Sequence, residues 1–173
     1  MKTVLVTGGI ASGKSEVCGY LSFRGYPVYD SDSRTKQLYK TVLGLKERVE
    51  EAAGVPLSEL AAIFKDDAMR ARVEAVVYPE VLRDFVAWRA SQDAVMVFFE
   101  SAVALDKPLF DPLWDEVWLV KAPLELRMGR NPEAAGRLRA QTAVPEDRAS
   151  RIIINGSDLE SLYLQIDNIL KLY

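Results

Sequence analysis

The segment TGGIASGKS at residues 7–15 constrains the fold more than any other part of the sequence. Residues 8–15 fit the pattern G-x-x-x-x-G-K-[ST] between an apolar, β-branched run and a helix-compatible segment. A strand, a glycine-rich turn and a helix in this order wrap phosphates with backbone N–H groups. Lys14 would add positive charge, and Ser15 would hold magnesium. The motif predicts binding of a nucleoside triphosphate, without deciding between kinases, GTPases and ATPases.

Short apolar runs typical of buried parallel strands recur along the chain. They lie at residues 4–6, 26–30, 94–99, 116–120 and 151–154. Each run is bounded by polar or turn residues, and helix-compatible stretches separate the runs. This alternation predicts an α/β fold with a doubly wound, mostly parallel five-stranded sheet. In such a sheet, ligands bind at the carboxyl ends of the strands.

Two helical regions are prominent in the sequence. The alanine-rich block at 44–91 has no strand-like run, and Pro56 and Pro79 predict that it is divided into several short helices. The last segment of the chain has apolar residues at helical spacing, with Ser157 and Glu160 as a predicted capping box. We therefore expect a helical insertion within the sheet domain and a closing helix at its end.

Composition excludes several classes of protein. The chain of 173 residues has a net charge of −3, which argues against a general binder of nucleic acid or of membrane surfaces. A single cysteine, Cys18, and the absence of histidine rule out an internal disulfide and a Cys/His zinc site. Apolar runs such as 94–99 are far shorter than the roughly 20 residues that a membrane helix needs. We expect a cytoplasmic protein that binds neither nucleic acid nor a membrane.

Acidic residues follow two of the predicted strands. Asp30 and Asp32 end the second strand, and Glu100 ends the third. A kinase that phosphorylates a hydroxyl needs a carboxylate that accepts the proton and orients the nucleophile, and Asp32 is the candidate for this general base. Asp30 and Glu100 would support magnesium or its water shell. The alternatives are a helix cap, provided by Ser31 or Asp32, and ordinary acids at strand ends.

Basic residues concentrate late in the chain, at 121–139, where the local charge is opposite to that of the whole chain. The arginines in this stretch are Arg127, Arg130, Arg137 and Arg139. Such arginines suit a mobile lid that neutralises the charge on a transferred phosphoryl group. A solvated helix face is the alternative for at least two of them. Arg130 and Arg137 are the preferred lid residues.

Several further segments match, in order, the motifs of one known kinase family. They are the loop at 7–15, GYPVYDSD at 25–32, IFKDDAMRARVEAVVYP at 63–79, ESAVALD at 100–106, RLRAQ at 137–141 and IIIN at 152–155. The Gly-Gly-Ile opening of the loop is much more specific than the general motif. Through these segments the chain resembles the dephospho-coenzyme A kinase family nearly from end to end.

The resemblance implies a P-loop NTPase fold in one kinase domain spanning residues 1–173. Within it, residues 1–40 and 93–173 would form the nucleotide-binding core, residues 44–92 a helical substrate-binding insertion, and residues from about 127 to 141 a short lid. It also implies ATP-dependent phosphorylation of the ribose 3′-hydroxyl of dephospho-coenzyme A, the last step of coenzyme A synthesis. The partners would be ATP, Mg²⁺ and this small-molecule acceptor, in a monomer or weak homo-oligomer.

The resemblance assigns roles to individual residues. The expected catalytic residues are Asp32, Lys14 and Arg137. ATP would be bound by Gly9, Ile10, Ala11, Ser12, Gly13, Lys14, Ser15, Arg130 and Asn155, the last at the adenine end. Magnesium would be bound by Ser15, Asp30 and Glu100, and the acceptor by Asp32, Tyr78 and Arg83.

The chain also departs from the family pattern. Tyr78 stands where the family has a histidine, and an aspartate usual shortly before Asn155 is not evident. The segments 40–54 and 126–139 are shorter than in the family. Two alternatives stay open: another small-molecule or nucleoside monophosphate kinase, and a nucleotide-dependent switch. A switch of the GTPase type would usually carry an N-K-x-D signature, which the sequence lacks.

Overall fold

A five-stranded sheet organises the amino- and carboxyl-terminal parts of the chain. The computed structural model describes residues 1–60, 66–131 and 145–173. The strands are β1 (Lys2–Thr7), β2 (Val28–Asp30), β3 (Met96–Glu100), β4 (Glu116–Lys121) and β5 (Arg151–Ile154). Their order in the sheet is β2-β3-β1-β4-β5, and the strands run parallel. The predicted α/β class and the parallel five-stranded sheet are confirmed.

The central strands are buried on both faces. In β1, the side chains of Val4, Leu5 and Val6 are fully buried, as expected for a parallel strand that is covered on each side. In register, Val6 lies beside Glu100 of β3 and Trp118 of β4. The end of β1 is therefore flanked on one side by the acid that ends β3. The loop at residues 8–13 starts from this position.

The first unit of the structure comprises residues 1–29 and 93–173 and contains three α-helices within its described ranges. They are α1 (Lys14–Phe23), α5 (Leu124–Arg130) and α6 (Leu159–Leu170). The buried side chains of α1 and α6 form one apolar cluster with those of the sheet: Val4, Val6, Val17, Leu21, Trp118, Ile153, Leu162 and Ile166. On the other face, Phe99 packs against Phe110 and Trp114. Helix α1 begins at Lys14, directly after the loop.

The predicted capping box of the last helix is wrong by one residue. The N-cap of α6 is Asp158, whose carboxylate accepts a hydrogen bond of 2.7 Å from the backbone N–H of Ser161. An aspartate at the N-cap satisfies an N–H group of the first turn as well as a serine does. Asp158 follows Ser157 directly, so the observed cap lies one residue after the predicted one.

The second unit comprises residues 30–92 and is helical. Its helices are α2 (Ser31–Thr41), α3 (Leu45–Ala53) and α4 (Asp67–Ala90). Leu45 and Val49 of α3 are fully buried. Arg34 and Asp84 form a two-point ion pair, with N–O distances of 2.8 and 2.6 Å. The domain boundaries predicted from the sequence stay a prediction.

Helix α4 does not end at Pro79, contrary to the prediction of several short helices. It runs continuously from Asp67 to Ala90 with the proline inside it. Its inward face carries, on both sides of the proline, the buried residues Val73, Val77, Val81 and Phe85. An interior proline costs about 3 kcal/mol, whereas burying each such side chain contributes about 1.5–3 kcal/mol. Packing therefore outweighs the local penalty.

No helix within the described ranges is both long and apolar enough to cross a membrane. The predicted lid, from about 127 to 141, is described only as far as residue 131. Arg137, Arg139 and Gln141 lie outside the described residues, as does the segment at 61–65.

Candidate nucleotide site

The loop between β1 and α1 has a backbone that side chains at two positions would disrupt. Gly8 and Gly13 have φ angles of 151° and 97°, a region that favours glycine. A Cβ atom on Gly8 would lie 2.2 Å from the carbonyl oxygen of Val120, and one on Gly13 would lie 1.9 Å from Nδ2 of Asn155. These glycines are therefore required both by backbone conformation and by close approach to β4 and to Asn155.

Lys14 and Ser15 begin α1 directly after the loop. Nζ of Lys14 donates hydrogen bonds to the carbonyl oxygens of Gly8 and Gly9, at 3.0 and 3.2 Å. Oγ of Ser15 donates to Oε1 of Glu100 at 2.8 Å. The loop, its lysine and the acid of β3 are thus brought together, as the sequence predicted for a phosphate site.

Side chains from outside the loop hold the carbonyl groups of its second half. Nε of Arg127 donates to the carbonyl oxygen of Ile10 at 2.8 Å. Nη1 of Arg130 lies 3.4 and 3.5 Å from the carbonyl oxygens of residues 11 and 12, and Nδ2 of Asn155 donates to the latter at 3.1 Å. When the contacts of Lys14 are included, the backbone carbonyl of every residue from 8 to 12 accepts a hydrogen bond from a side chain. The sequence included Arg127 among its arginines but did not single it out.

Arg130 and Asn155 also contact each other. Nη2 of Arg130 donates to Oδ1 of Asn155 at 3.1 Å. Asn155 is 5% exposed, whereas Arg130 is largely exposed. Both predicted ATP-binding residues therefore lie against the same side of the loop, next to Gly13.

One buried polar group in the loop fits a bound phosphate. The Ser12 side chain is 1% exposed, and its Oγ has no hydrogen-bond partner among the described residues. A buried hydroxyl without a partner is costly, and a phosphate oxygen is an acceptor that would satisfy it.

The groups available for magnesium are few. Ser15 and Glu100 present hydroxyl and carboxylate oxygens 2.8 Å apart, the ligand type that a hard cation prefers. The described residues contain no cluster of three or more His, Cys, Asp or Glu side chains that could hold a metal. Mg²⁺ is commonly held by one or two protein groups together with substrate phosphates and water.

Asp30 caps a helix. Oδ1 of Asp30 accepts the backbone N–H groups of Asp32 and Ser33 at 3.0 and 3.1 Å, and Oδ2 accepts the hydroxyl of Ser33 at 2.6 Å. Asp30 is therefore the N-cap of α2, and the predicted caps at Ser31 and Asp32 are wrong. The reason is that the chain enters α2 immediately after β2, which places Asp30 one residue before the first turn.

Asp32 and Tyr78 both belong to the second unit. Asp32 is exposed in the first turn of α2. Burial raises the pKa of Tyr78, and the charge of Glu74, to which the phenol donates a hydrogen bond, raises it further. The charge of Asp32 acts in the same direction, while that of Arg70 opposes it. Tyr78 therefore keeps its proton at physiological pH and donates it to Glu74, which leaves the phenol oxygen able to accept a hydrogen bond.

Arg83, the other predicted acceptor residue, is paired with an acid. Its Nη2 lies 2.5 Å from Oε1 of Glu80, which Arg48 also contacts at 2.7 Å. The side chain of Arg83 is 66% exposed. Its guanidinium therefore presents donors to solvent beyond those used by Glu80.

Curated relatives match the chain over nearly its whole length. The dephospho-CoA kinase of Porphyromonas gingivalis is 33% identical over 171 residues, which cover 91% of this chain and 84% of the relative. The dephospho-CoA kinase of a Synechococcus strain is also 33% identical, over 95% of this chain and 94% of the relative. The chain belongs to the dephospho-CoA kinase family. This confirms the resemblance inferred from the motifs, although no family model matches the chain.

Solved structures agree with this family at the level of fold. The TT1252 protein of Thermus thermophilus is 31% identical, with a TM-score of 0.79 over 99% of this chain and 97% of that protein. The dephospho-CoA kinase of Campylobacter jejuni superposes with a TM-score of 0.65 at 19% identity, over 99% and 96% of the two chains. A shikimate kinase of Acinetobacter baumannii shares the fold with a TM-score of 0.52 at 15% identity, over 99% and 92% of the two chains. The P-loop NTPase fold expected from the sequence is confirmed.

Proposed function

We propose that this chain transfers the γ-phosphoryl group of ATP to the ribose 3′-hydroxyl of dephospho-CoA, which completes coenzyme A. The observation that carries the proposal is the similarity, over nearly the whole chain, to dephospho-CoA kinases. It is supported by a loop that combines two glycines of positive φ, Lys14 and a buried hydroxyl that has no hydrogen-bond partner among the described residues. These groups suit the phosphates of ATP.

In this proposal the first unit binds ATP. Backbone N–H groups from Gly9 to Ser15 and the ammonium of Lys14 hold the β- and γ-phosphates. Arg130 and Asn155 contribute at the side of the loop where they already contact each other. Arg137 is proposed as a further lid arginine that stabilises charge on the transferred group.

The proposal includes a metal site. Magnesium, when bound, would bridge phosphate oxygens and neutralise their charge. Ser15 and Glu100 would hold it, because their oxygens already lie together at the end of the loop. Asp30 is proposed to support the ion or its water shell, in addition to its role as a helix cap.

The second unit supplies the acceptor side. Asp32 is the proposed general base, which accepts the proton of the ribose hydroxyl and orients its oxygen. Because Asp30 provides the N-cap of α2, the carboxylate of Asp32 is not used for capping. Tyr78 and Arg83 are proposed to bind the acceptor, through a phenol oxygen that can accept a hydrogen bond and through an exposed guanidinium. Positioning and charge are the main contributions to catalysis, since phosphoryl transfer has a loose transition state.

The remaining parts of the proposal concern the protein in the cell. We propose a cytoplasmic monomer or weak homo-oligomer that binds neither nucleic acid nor a membrane. The net charge of −3 and the single cysteine support this.

The test of the proposed function is acceptor-dependent ADP release. ADP is measured with Mg²⁺-ATP in the presence of dephospho-CoA, of shikimate, of nucleoside monophosphates, or of no acceptor. We expect rapid release with dephospho-CoA alone. Release with a different acceptor would show another small-molecule kinase, and slow release that no acceptor accelerates would show a nucleotide-dependent switch.

A substitution tests the proposed base. Asp32→Asn should lower kcat about 10²–10⁴-fold, while the Kd for ATP changes little, because a base acts on the reacting hydroxyl. Asp67→Asn is a matched control, since Asp67 is also an acid in the first turn of a helix of the same unit and its side chain is 90% exposed. Similar small effects of both substitutions on kcat would contradict the assignment.

A further inference from the structure

The carbonyl of Ile10 and the N–H of Ala11 belong to the same peptide group. A trans peptide is planar, and its C=O and N–H bonds point in opposite directions. The guanidinium of Arg127, which holds this carbonyl at 2.8 Å, therefore also determines the direction of the Ala11 N–H. That N–H is one of the loop amides proposed to bind phosphate.

Ala11 has an unusual backbone conformation. Its φ is 57°, and it is the one residue other than glycine with positive φ in the described parts of the chain. This left-handed conformation is unfavourable for an L-residue, so neighbouring contacts have to sustain it. The N–H of Ser12 donates to the carbonyl oxygen of Gly9 at 3.2 Å, so Ile10 and Ala11 are the central residues of a turn, and the peptide between them is the one that Arg127 contacts. The contact of Arg127 with the preceding carbonyl is suited to sustain this arrangement.

Arg127 makes the shortest of the side-chain contacts with the loop carbonyls. The contacts of Arg130 with the carbonyls of residues 11 and 12 measure 3.4 and 3.5 Å, near the limit of a hydrogen bond. Arg127 is also partly buried, whereas Arg130 is exposed. The two arginines are three residues apart on α5 and thus face the same side. Arg127 therefore contributes more than Arg130 to holding the loop.

We propose that Arg127 is a positioning residue, which holds the Ile10 carbonyl outward and thereby keeps the Ala11 N–H and the left-handed Ala11 in the phosphate-binding arrangement. This inference rests on the proposed function, since it explains how the ATP loop is prepared for its ligand. It assigns to Arg127 an effect on phosphate binding that passes through the loop backbone. Direct contact with the nucleotide is not part of this role.

The test uses inorganic triphosphate with Mg²⁺, titrated calorimetrically into the full chain. Arg127→Met should weaken binding about tenfold, because the variant loses one charge-assisted hydrogen bond to the loop. The double variant Ala11→Gly/Arg127→Met should recover at least about a third of the loss in log Kd, because glycine adopts positive φ without the penalty. Arg148→Met is the matched control: Arg148 donates to the carbonyl of Leu105 at 2.6 Å, and we expect its loss to leave the Kd unchanged.

Two results would overturn the inference. Unchanged binding by Arg127→Met would show that the contact does not prepare the loop. Weakened binding without recovery by Ala11→Gly would show that Arg127 acts on the ligand itself. If Arg127→Met does not fold, as judged by thermal unfolding, Arg127→Lys serves instead with an expected loss of at least about threefold and the same recovery. No acceptor is present, so a failure of dephospho-CoA-dependent ADP release would refute the proposed function separately.

Discussion

Alanine at Gly13 should disrupt a contact between the loop and Asn155. An added Cβ would lie 1.9 Å from Nδ2 of Asn155, so this side chain would have to leave its position. Asn155 would then lose its hydrogen bonds to the Ser12 carbonyl and from Arg130, both at 3.1 Å and each worth about 1 kcal/mol. The φ of 97° adds about 1–2 kcal/mol for alanine. Gly13→Ala should therefore cost about 3–4 kcal/mol of unfolding free energy.

Because this free-energy cost comes from a steric clash with Asn155, the effects of Gly13→Ala and Asn155→Ala should not be additive. Asn155→Ala alone loses the same two hydrogen bonds and should cost about 2 kcal/mol. In the double variant no side chain remains to be displaced, so the total should be about 3–4 kcal/mol rather than about 5–6 kcal/mol, a coupling of about 2 kcal/mol. Urea unfolding followed by tryptophan fluorescence, to which the buried Trp118 contributes, gives all four free energies. Additivity within about 0.5 kcal/mol would refute the reasoning.

Two further predictions concern stability. Hydrogen bonds from Arg83 and Arg48 lower the pKa of Glu80 below its ordinary value of 4.5, against the effect of burial. The carboxylate therefore stabilises the fold above that pH, and this contribution is lost as the pH falls through the lower folded-state pKa. Between about pH 6 and about pH 3, wild-type protein should lose more unfolding free energy than Glu80→Gln, and equal losses would contradict the assignment. Leu162→Ala should cost about 2–5 kcal/mol in urea unfolding, because Leu162 is 1% exposed among the core residues of the sheet, and a cost below about 1 kcal/mol would contradict this packing.

Much of the fold and of the nucleotide site could be predicted from the sequence. The loop is encoded locally, because glycines, a lysine and a serine at fixed spacing have one well-known use after a strand. The central strands could be recognised because their buried runs, such as residues 4–6, are apolar on both faces. The family followed from ordered motifs along the whole chain, which the relatives confirm.

The local sequence was insufficient to identify a helix cap where several neighbouring residues could serve as the N-cap. Asp30 and Asp158 act as N-caps in place of their neighbours, because which polar side chain reaches the first-turn N–H groups depends on how the chain enters the helix. Helix α4 passes through Pro79 because apolar side chains on both sides of it are buried against the rest of the unit. The helix propensity of a residue is a local free energy of at most about 3 kcal/mol, and the free energy gained by burying apolar side chains can exceed it.

The sequence by itself determined that this chain has a phosphate-binding loop between a strand and a helix, and to which family it belongs. Only the tertiary structure decided which side chains hold that loop. Arg127 and Ile10 are 117 residues apart in the sequence. No pattern of neighbouring residues could therefore have indicated their contact. Their contact exists because β1, β4 and β5 pair side by side. This pairing brings α5 and Asn155 next to the carbonyl groups of the loop. Long-range contacts of this kind depend on the packing of the whole sheet, which local residue patterns do not specify.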